Sequence, residues 1–279
     1  MHNSRLKTKQ MLFALVMAGI ILVGAGHSFA EQQSESRFWL VSMGVGDADL
    51  ITLRAVNTIK ASDVIVCRDR TKEELAEYLK GKEILDESLS DWRNYKKECA
   101  STEDPEKKAA CEKGMESRAK LIGQIRSAIQ AGKTVSVLGS GDLMIYGGPY
   151  RWYLEEFKDL NPKIVPGVSC FNAANAALGK DIMSGKESHS AVLTTYREIE
   201  KFSKNHPSMI IFTMHTRFDE LVKKLMENYP PETPIAIVFY AGYKDKEFIV
   251  RGRLDTILKE TQGQDFPFEH LVYVGDFMK

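Results

Sequence analysis

Two short loops of the sequence combine glycine with a carboxylate, a composition suited to binding the charged end of an amino acid. The first is Gly44-Val45-Gly46-Asp47-Ala48-Asp49, and the second contains Ser140-Gly141-Asp142. In the second loop, backbone N–H groups can donate to a carboxylate while the Asp142 side chain accepts from an ammonium group. Gly141 leaves room for a ligand to approach the backbone closely. These loops are the first candidates for a binding site.

Neither loop matches a nucleotide-binding motif. A dinucleotide fingerprint requires a third glycine where Asp49 stands, and an acid at that point would repel a diphosphate. The segment Gly132-Lys133-Thr134 lacks the upstream glycine of a phosphate-binding P-loop. Taken alone, the first loop is more typical of a plain tight turn than of a binding site.

Both loops follow predicted strands of a parallel sheet. Phe38–Met43 and Asp63–Cys67 are apolar runs of strand length, separated by a helical pattern that Asp47 or Asp49 would cap. This order is a βαβ unit of an α/β fold. A third strand, Thr134–Leu138, leads into the second loop. The buried side of the first helix is expected to carry Leu50, Leu53, Ala55, Val56 and Ile59. Open α/β sheets bind ligands at the carboxyl ends of their strands, where these loops lie.

The second half of the chain predicts a mixed sheet, because five strand-like runs occur with fewer helices between them. An alanine-rich helix, Phe171–Leu178, precedes these strands. The strands are expected at Ala191–Thr195, Met209–Met214, Pro234–Tyr240, Phe248–Arg251 and Leu271–Val274. We therefore predict an N-terminal α/β domain at 37–155, with a charged helical insertion at about 80–120, and a C-terminal α/β domain at 160–279.

Charge and composition exclude several classes of partner. The 279 residues carry 38 basic and 38 acidic side chains, so the chain as a whole has no net charge to attract a polyanion. The aromatic content of 9% without a basic stripe gives no support for nucleic-acid binding. The cysteines and histidines show no spacing typical of a metal site, so we expect no bound metal.

The first thirty residues have the parts of a secretory signal peptide. A basic head at 5–9 precedes an uncharged apolar run at 11–26, and Ser28-Phe29-Ala30 offers a cleavage site before Glu31. The run is short for a membrane span, which needs about 20 residues. We expect a periplasmic or extracellular protein cleaved after Ala30, with an uncleaved membrane anchor or a buried helix as alternatives.

Export would make a disulfide possible. Cys99 and Cys111 flank a turn at Thr102-Glu103-Asp104-Pro105 between helical patterns, so we expect a disulfide that closes a helical hairpin. Two free thiols on a solvated helix pair are the alternative. Cys67 and Cys170 are expected to be buried thiols.

Five segments in a fixed order are more specific than either loop alone. They are VSMGVGDADLITLRA from Val41, LGSGDLMIYG from Leu138, VPGVSCFNAANAALG from Val165, PIAIVFYAGYKDKEFIVRGRLDTI from Pro234 and HLVYVGDF from His270. Over about 37–277 the chain resembles the tetrapyrrole (corrin/porphyrin) methylase family of S-adenosylmethionine-dependent enzymes, with the precorrin and cobalt-precorrin C-methyltransferases nearest. The resemblance implies a two-domain α/β fold with a parallel-type N-terminal sheet, a mixed C-terminal sheet and a cleft between them. It also implies a homodimer.

The resemblance further implies which residues bind S-adenosylmethionine in the cleft. They are Gly44, Val45, Gly46, Asp47, Ser140, Gly141, Asp142, Ile145, Ser169, Cys170, Met214 and Ala241. The chain departs from the family at Val45 and Leu143, where proline is common. Many members also read Tyr-Asp-Arg after the second strand, whereas this chain reads Cys67-Arg68-Asp69 and its acid is shifted by one residue.

Methylation at carbon also needs a group that accepts a proton. We assign this role to Asp69, with His215 and Glu198 as other candidates, although residues of these types more often lie at the surface or cap a helix. Tyr150 and Arg151 follow the second loop and are placed to face an acidic substrate.

Two functions from different classes fit these observations. The first is an S-adenosylmethionine-dependent methyltransferase that positions the sulfonium against a small tetrapyrrole substrate, since orientation alone lowers a barrier by roughly 7–11 kcal/mol. The second is an exported tetrapyrrole- or ligand-binding protein that kept the fold without catalysis, because S-adenosylmethionine is made in the cytosol. Export disfavours methylation of ribosomal RNA or protein. Membrane contact is expected only through an uncleaved leader.

Overall fold

The computed structural model describes residues 36–87, 101–214 and 216–279. Within them, Arg37–Lys279 form one compact unit. The predicted signal peptide, Cys99 and His215 lie outside the described residues, so the expectations about them stay predictions. No helix in the described part of the chain has the length and apolar character needed to cross a membrane.

The first sheet contains five parallel strands in the order β3-β2-β4-β1-β5. The strands are β1 (Phe38–Ser42), β2 (Val64–Cys67), β3 (Glu83–Asp86), β4 (Val135–Gly139) and β5 (Lys163–Val165). The helices between them are α1 (Leu53–Ala61), α2 (Asp69–Glu74), α3 (Ala76–Leu79), α4 (Pro105–Gln130) and α5 (Gly148–Glu156). Strands β2 and β4 are buried along their whole length, because helices cover both faces of the sheet, and this burial explains their continuous apolar runs.

The helices divide between the two faces of this sheet. On one face, Leu121 and Ile125 of α4 pack with Tyr153 of α5. On the other face, Ala55 and Ile59 of α1 pack with residues from α2–α3. The neighbouring strands β1 and β4 therefore lead to helices on opposite faces. Such a reversal opens a crevice at the carboxyl ends of the two strands, where the glycine loops lie.

The second sheet is mixed, as the sequence predicted. Its strands are β6 (Ala191–Thr195), β7 (Ser208–Phe212), β8 (Pro234–Phe239), β9 (Phe248–Arg253) and β10 (His270–Val274). Their order is β6-β7-β10-β8-β9, in which β6 and β7 are parallel and the other neighbours antiparallel. The helices are α6 (Cys170–Leu178), α7 (Ile199–Phe202), α8 (Phe218–Leu225) and α9 (Ile257–Glu260). The predicted fold class is confirmed, and α6 and α8 pack on opposite faces of this sheet.

Three local expectations are corrected. Helix α1 is capped by Thr52, whose hydroxyl accepts from the Ala55 amide at 3.1 Å, and not by Asp47 or Asp49. Leu53 is 82% exposed, because a 3₁₀ turn at Ala48–Leu50 resets the helical phase before α1 begins. Strand β5 pairs with β1, so this segment extends the first sheet although it lies beyond 160, where we expected the C-terminal domain.

The last part of the predicted insertion belongs to helix α4, which spans 26 residues. Asp104 caps it by accepting from the Glu106 amide at 3.0 Å, and one face docks on the first sheet while the other faces solvent. Cys111 in this helix is buried and disulfide-bonded, and the pairing with Cys99 stays a prediction. Cys67 is a buried free thiol as expected, whereas Cys170 is a free thiol that is only partly buried.

Candidate functional site

Three of the predicted loops meet at the carboxyl edge of the first sheet. The Gly44 amide donates to the Gly141 carbonyl at 3.2 Å, and the Gly141 amide donates to the Gly44 carbonyl at 2.7 Å. The Val45 amide donates to the Val168 carbonyl at 3.0 Å. A Cβ at Gly167 would lie 2.8 Å from the Gly141 carbonyl oxygen, so a larger residue would force these loops apart. The structure therefore joins segments that are far apart in the sequence.

A fourth loop comes from the second sheet. The Asp47 amide donates to the Gly242 carbonyl at 2.9 Å, and the Lys244 amide donates to Asp47 Oδ2 at 2.9 Å. A Cβ at Gly46 would lie 2.2 Å from the Gly242 carbonyl oxygen. The first glycine loop is thus held directly against the loop that follows β8. We call the meeting point of these four loops the loop junction.

Apolar residues line one side of the loop junction. Val45, Ile145 and Cys170 pack against the apolar cluster formed by α6 and the second sheet, which contains the buried Ala241. Burial raises the pKa of the Cys170 thiol to about 11, so this side chain is neutral at physiological pH and is not an activated nucleophile. This wall provides the apolar contacts that an adenosine group requires.

The same loops also carry polar residues. Asp142 is half-buried, and its Oδ1 accepts from the Met144 amide at 2.8 Å, which orients the carboxylate. A Cβ at Gly141 would meet no described atom within 4 Å, so the backbone of this loop is open to a ligand. Ser169 is buried and caps α6, because its hydroxyl accepts from the Asn172 amide at 3.3 Å. Ser140 precedes Gly141 and is exposed.

Backbone strain accumulates around the same loops. Tyr146, Met214 and Tyr240 adopt left-handed φ angles of 53°, 50° and 50°, which non-glycine residues rarely do. They follow β4, β7 and β8, and the Tyr146 ring lies 4.4 Å from the Phe212 ring between centroids. Strained residues of this kind cluster at functional sites. The sequence had singled out Met214 but not the two tyrosines, since their types carry no signal for a left-handed conformation.

The predicted proton acceptor lies outside the loop junction. Asp69 is the first residue of α2, its side chain is 83% exposed, and its Oδ1 lies 2.7 Å from Lys72 Nζ. Glu198 lies in a short 3₁₀ turn and pairs with Lys201 at 3.8 Å. The structure does not bring either acid to the loops, so their roles stay predictions.

A buried carboxyl group that the sequence did not single out lies near this edge of the first sheet. Glu87 directly follows β3 and is 5% exposed. The Tyr153 hydroxyl donates to Glu87 Oε1 at 2.8 Å, and Arg68 Nε lies 3.6 Å from Oε2. Burial raises the pKa of Glu87 to about 7, against the opposing effects of Tyr153 and Arg68. A glutamate in a highly charged stretch is usually solvated, so only the structure reveals its burial.

Tyr150 and Arg151 are not arranged as expected. Tyr150 is buried, and a Cβ at Gly139 would lie 2.5 Å from its ring, so the tyrosine packs beneath the second loop. Arg151 is exposed and pairs with Glu155 on the same helix at 3.1 Å. A cavity of about 500 Å³ lies elsewhere, beside α8 and the start of β10, and none of the predicted cofactor residues lines it.

Comparison with known proteins identifies the group to which this arrangement belongs. The family described as Tetrapyrrole (Corrin/Porphyrin) Methylases matches residues 37–258. The chain belongs to this family. It is 27% identical over 253 residues to the cobalt-precorrin-4 C(11)-methyltransferase of Methanocaldococcus jannaschii. This match covers 86% of this chain and 87% of that protein. The precorrin-4 C(11)-methyltransferase of Rhodococcus erythropolis is 27% identical over 250 residues, or 85% and 90% of the two chains.

Solved structures show the same fold. The cobalt precorrin-4 methyltransferase superposes with a TM-score of 0.68 at 19% identity, over 88% of this chain and 97% of that one. The uroporphyrin-III C-methyltransferase of Thermus thermophilus complexed with S-adenosylhomocysteine superposes with a TM-score of 0.61 at 18% identity. The superposition covers 87% of this chain and 93% of that one. This tetrapyrrole methylase is a methyltransferase with S-adenosylmethionine as its cofactor.

The residues at the loop junction suit that cofactor. The carboxylate of Asp142 can accept from an ammonium group, and the open space beside Gly141 leaves room for the amino-acid end of the cofactor. The apolar residues of the junction, among them Val45, Ile145 and Ala241, suit an adenine and a ribose. The Asp47 carboxylate instead accepts from Lys244, so it fixes the loops that frame the site.

We predict that Gly46→Ala weakens S-adenosylhomocysteine binding at least tenfold, because its Cβ would meet the Gly242 carbonyl and separate the two loops. Calorimetric titration measures the dissociation constant.

Gly132→Ala is the matched control: Gly132 has a similar φ of 82°, but its Cβ would meet nothing within 4 Å. It should cost about 1–2 kcal/mol of stability through φ alone and leave binding intact. Equal binding by the two variants would contradict this role for the loop contact.

Proposed function

We propose that this tetrapyrrole methylase transfers a methyl group from S-adenosylmethionine to a ring carbon of a precorrin-like substrate in cobalamin biosynthesis. The observation that carries the proposal is the loop junction, where four family segments from two sheets meet around an open glycine backbone and an oriented carboxylate. The names of the relatives, which match over most of the chain, support carbon methylation of a corrin precursor.

In this proposal the protein acts mainly by positioning. The bound cofactor supplies an activated methyl group on a sulfonium. Asp142 accepts from the ammonium group of its amino-acid end, for which the open space beside Gly141 leaves room. Val45, Ile145 and Ala241 exclude water from its adenosine end. The loop hydrogen bonds of Asp47 keep the two sides at a fixed separation. Orientation of this kind supplies roughly 7–11 kcal/mol of barrier lowering. The comparisons give no support to the alternative of a binding protein without catalysis.

We expect the purified protein to bind S-adenosylhomocysteine, and Asp142→Ala to weaken this binding more than tenfold by removing the acceptor for the ammonium group. Calorimetry measures the two dissociation constants. Asp181→Ala is the matched control, because Asp181 Oδ1 accepts from the Met183 amide at 2.9 Å in the same local turn, away from the site. An unchanged dissociation constant for Asp142→Ala would refute the assignment. If the wild type does not bind S-adenosylhomocysteine at millimolar concentration, the proposed methyltransferase function is ruled out.

We also propose that the chain is exported and cleaved after Ala30, on the support of its basic head, apolar run and small-residue cleavage site. Expression of the full chain followed by N-terminal sequencing of the secreted protein should give a mature chain that begins at Glu31. A chain that still begins at Met1 and sediments with membranes would contradict cleavage and favour an anchor.

The assembly that we propose is a homodimer, which the resemblance to the family supports. Light scattering on the purified protein should give twice the mass of one chain over a range of concentrations. A mass equal to that of one chain, at all concentrations tested, would rule out the dimer.

A further inference from the structure

A buried acid and a half-exposed arginine face each other beside the loop junction. Arg68 Nε lies 3.6 Å from Glu87 Oε2, and the Arg68 side chain is 44% exposed while that of Glu87 is 7% exposed. Glu87 Oε2 is buried and has no hydrogen-bond partner among the described residues. Burying a charged oxygen without a hydrogen bond costs free energy, which favours the protonated, neutral form of Glu87.

The position of the pair links it to the substrate side of the fold. Strands β2 and β4 are neighbours with Val66 opposite Val137, so Arg68 follows β2 at the same edge where Ser140 follows β4. The Arg70 guanidinium donates to the Tyr243 hydroxyl at 2.8 Å, which holds this segment against the loop after β8. Arg68 therefore lies beside the loop junction, near loops of both sheets.

Several of the described groups around Glu87 affect its charge. Tyr153 donates to it, the Tyr150 hydroxyl also faces it, and Arg68 is the one cation near it among the described residues. Asp86 is the neighbouring acid that opposes its ionisation. Cys67 lies close by, but burial and the nearby acids raise the pKa of its thiol to about 11, so it stays neutral.

We propose that Arg68 binds a carboxylate of the substrate and that Glu87, behind it, is the positioning residue that controls how strongly Arg68 does so. The inference rests on the proposed function, since tetrapyrrole precursors carry several carboxylates around their rings. A guanidinium with an exposed side matches a carboxylate in geometry and charge. Where many family members have an acid, this chain thus presents a cation supported by a carboxyl group from the next strand.

The proposal gives binding a definite pH dependence. Above about pH 7, Glu87 is ionised, neutralises Arg68 and repels an approaching carboxylate. Below it, Glu87 is neutral and the charge of Arg68 is available. By linkage, a bound carboxylate also raises the pKa of Glu87 further. Carboxylate binding should therefore strengthen as pH falls through about 7, and the free energy of unfolding should also rise as pH falls through this range.

The test uses uroporphyrin, a porphyrin octacarboxylate, with the full chain at pH 6 and pH 8. Fluorescence quenching should show that the dissociation constant of the wild type rises about tenfold between these pH values. Glu87→Gln should bind tightly at both pH values and lose this tenfold change, because its side chain cannot ionise. Arg68→Gln should bind at least about tenfold more weakly than the wild type at pH 6. Titration of the porphyrin itself changes the affinity of the wild type and of Glu87→Gln by the same factor, so the effect of Glu87 is the ratio of the two pH dependences.

Arg253→Gln is the control, because Arg253 is similarly half-exposed and paired with an acid, Asp255, at 2.6 Å. It should bind as the wild type does. A pH dependence in Glu87→Gln as large as that of the wild type, or wild-type affinity in Arg68→Gln, would overturn the inference while the proposed function stands. If the wild type binds S-adenosylhomocysteine but no porphyrin at either pH, both the inference and the tetrapyrrole substrate are overturned.

Discussion

The site of this protein depends on close contact between backbones that only glycine permits. Gly44 and Gly141 exchange hydrogen bonds, and Gly46 approaches Gly242 so closely that a single added carbon would lie 2.2 Å from a carbonyl oxygen. The first contact joins neighbouring strand ends, and the second joins the two sheets. The apolar residues Val45 and Ala241 and the oriented Asp142 carboxylate stand on loops that these contacts join, so the contacts set how far apart those loops lie.

The change of face between the helices that follow β1 and β4 explains why the site lies at this edge. The two strands are neighbours but send their helices to opposite faces, which leaves their loops free to meet the second sheet. Three residues with left-handed backbones follow strands whose loops face the same region. The well-packed sheets beneath them hold this strain in place, as the burial of β7 and β8 indicates.

Charge at this edge is governed by burial more than by residue type. Asp69 and Glu87 both follow strands of the first sheet, yet Asp69 is solvated and pairs with a lysine, whereas Glu87 is enclosed and has a pKa raised to about 7. Arg68, which directly precedes Asp69, has its guanidinium next to the buried Glu87. A carboxylate at the surface is a poor proton carrier near neutral pH, while a buried one titrates there.

The sequence by itself determined most of the strands, the loops and the family, because apolar runs and glycine spacing are local signals, but it did not predict β3 or β5. It also placed Gly44, Gly141 and Ala241 among the candidates, and the structure brings their loops together. It failed at the start of α1, where a 3₁₀ turn shifts the helical phase, and at Glu87. Only the tertiary structure decided these, since burial, backbone strain and the distance between charges depend on segments that are distant in the chain.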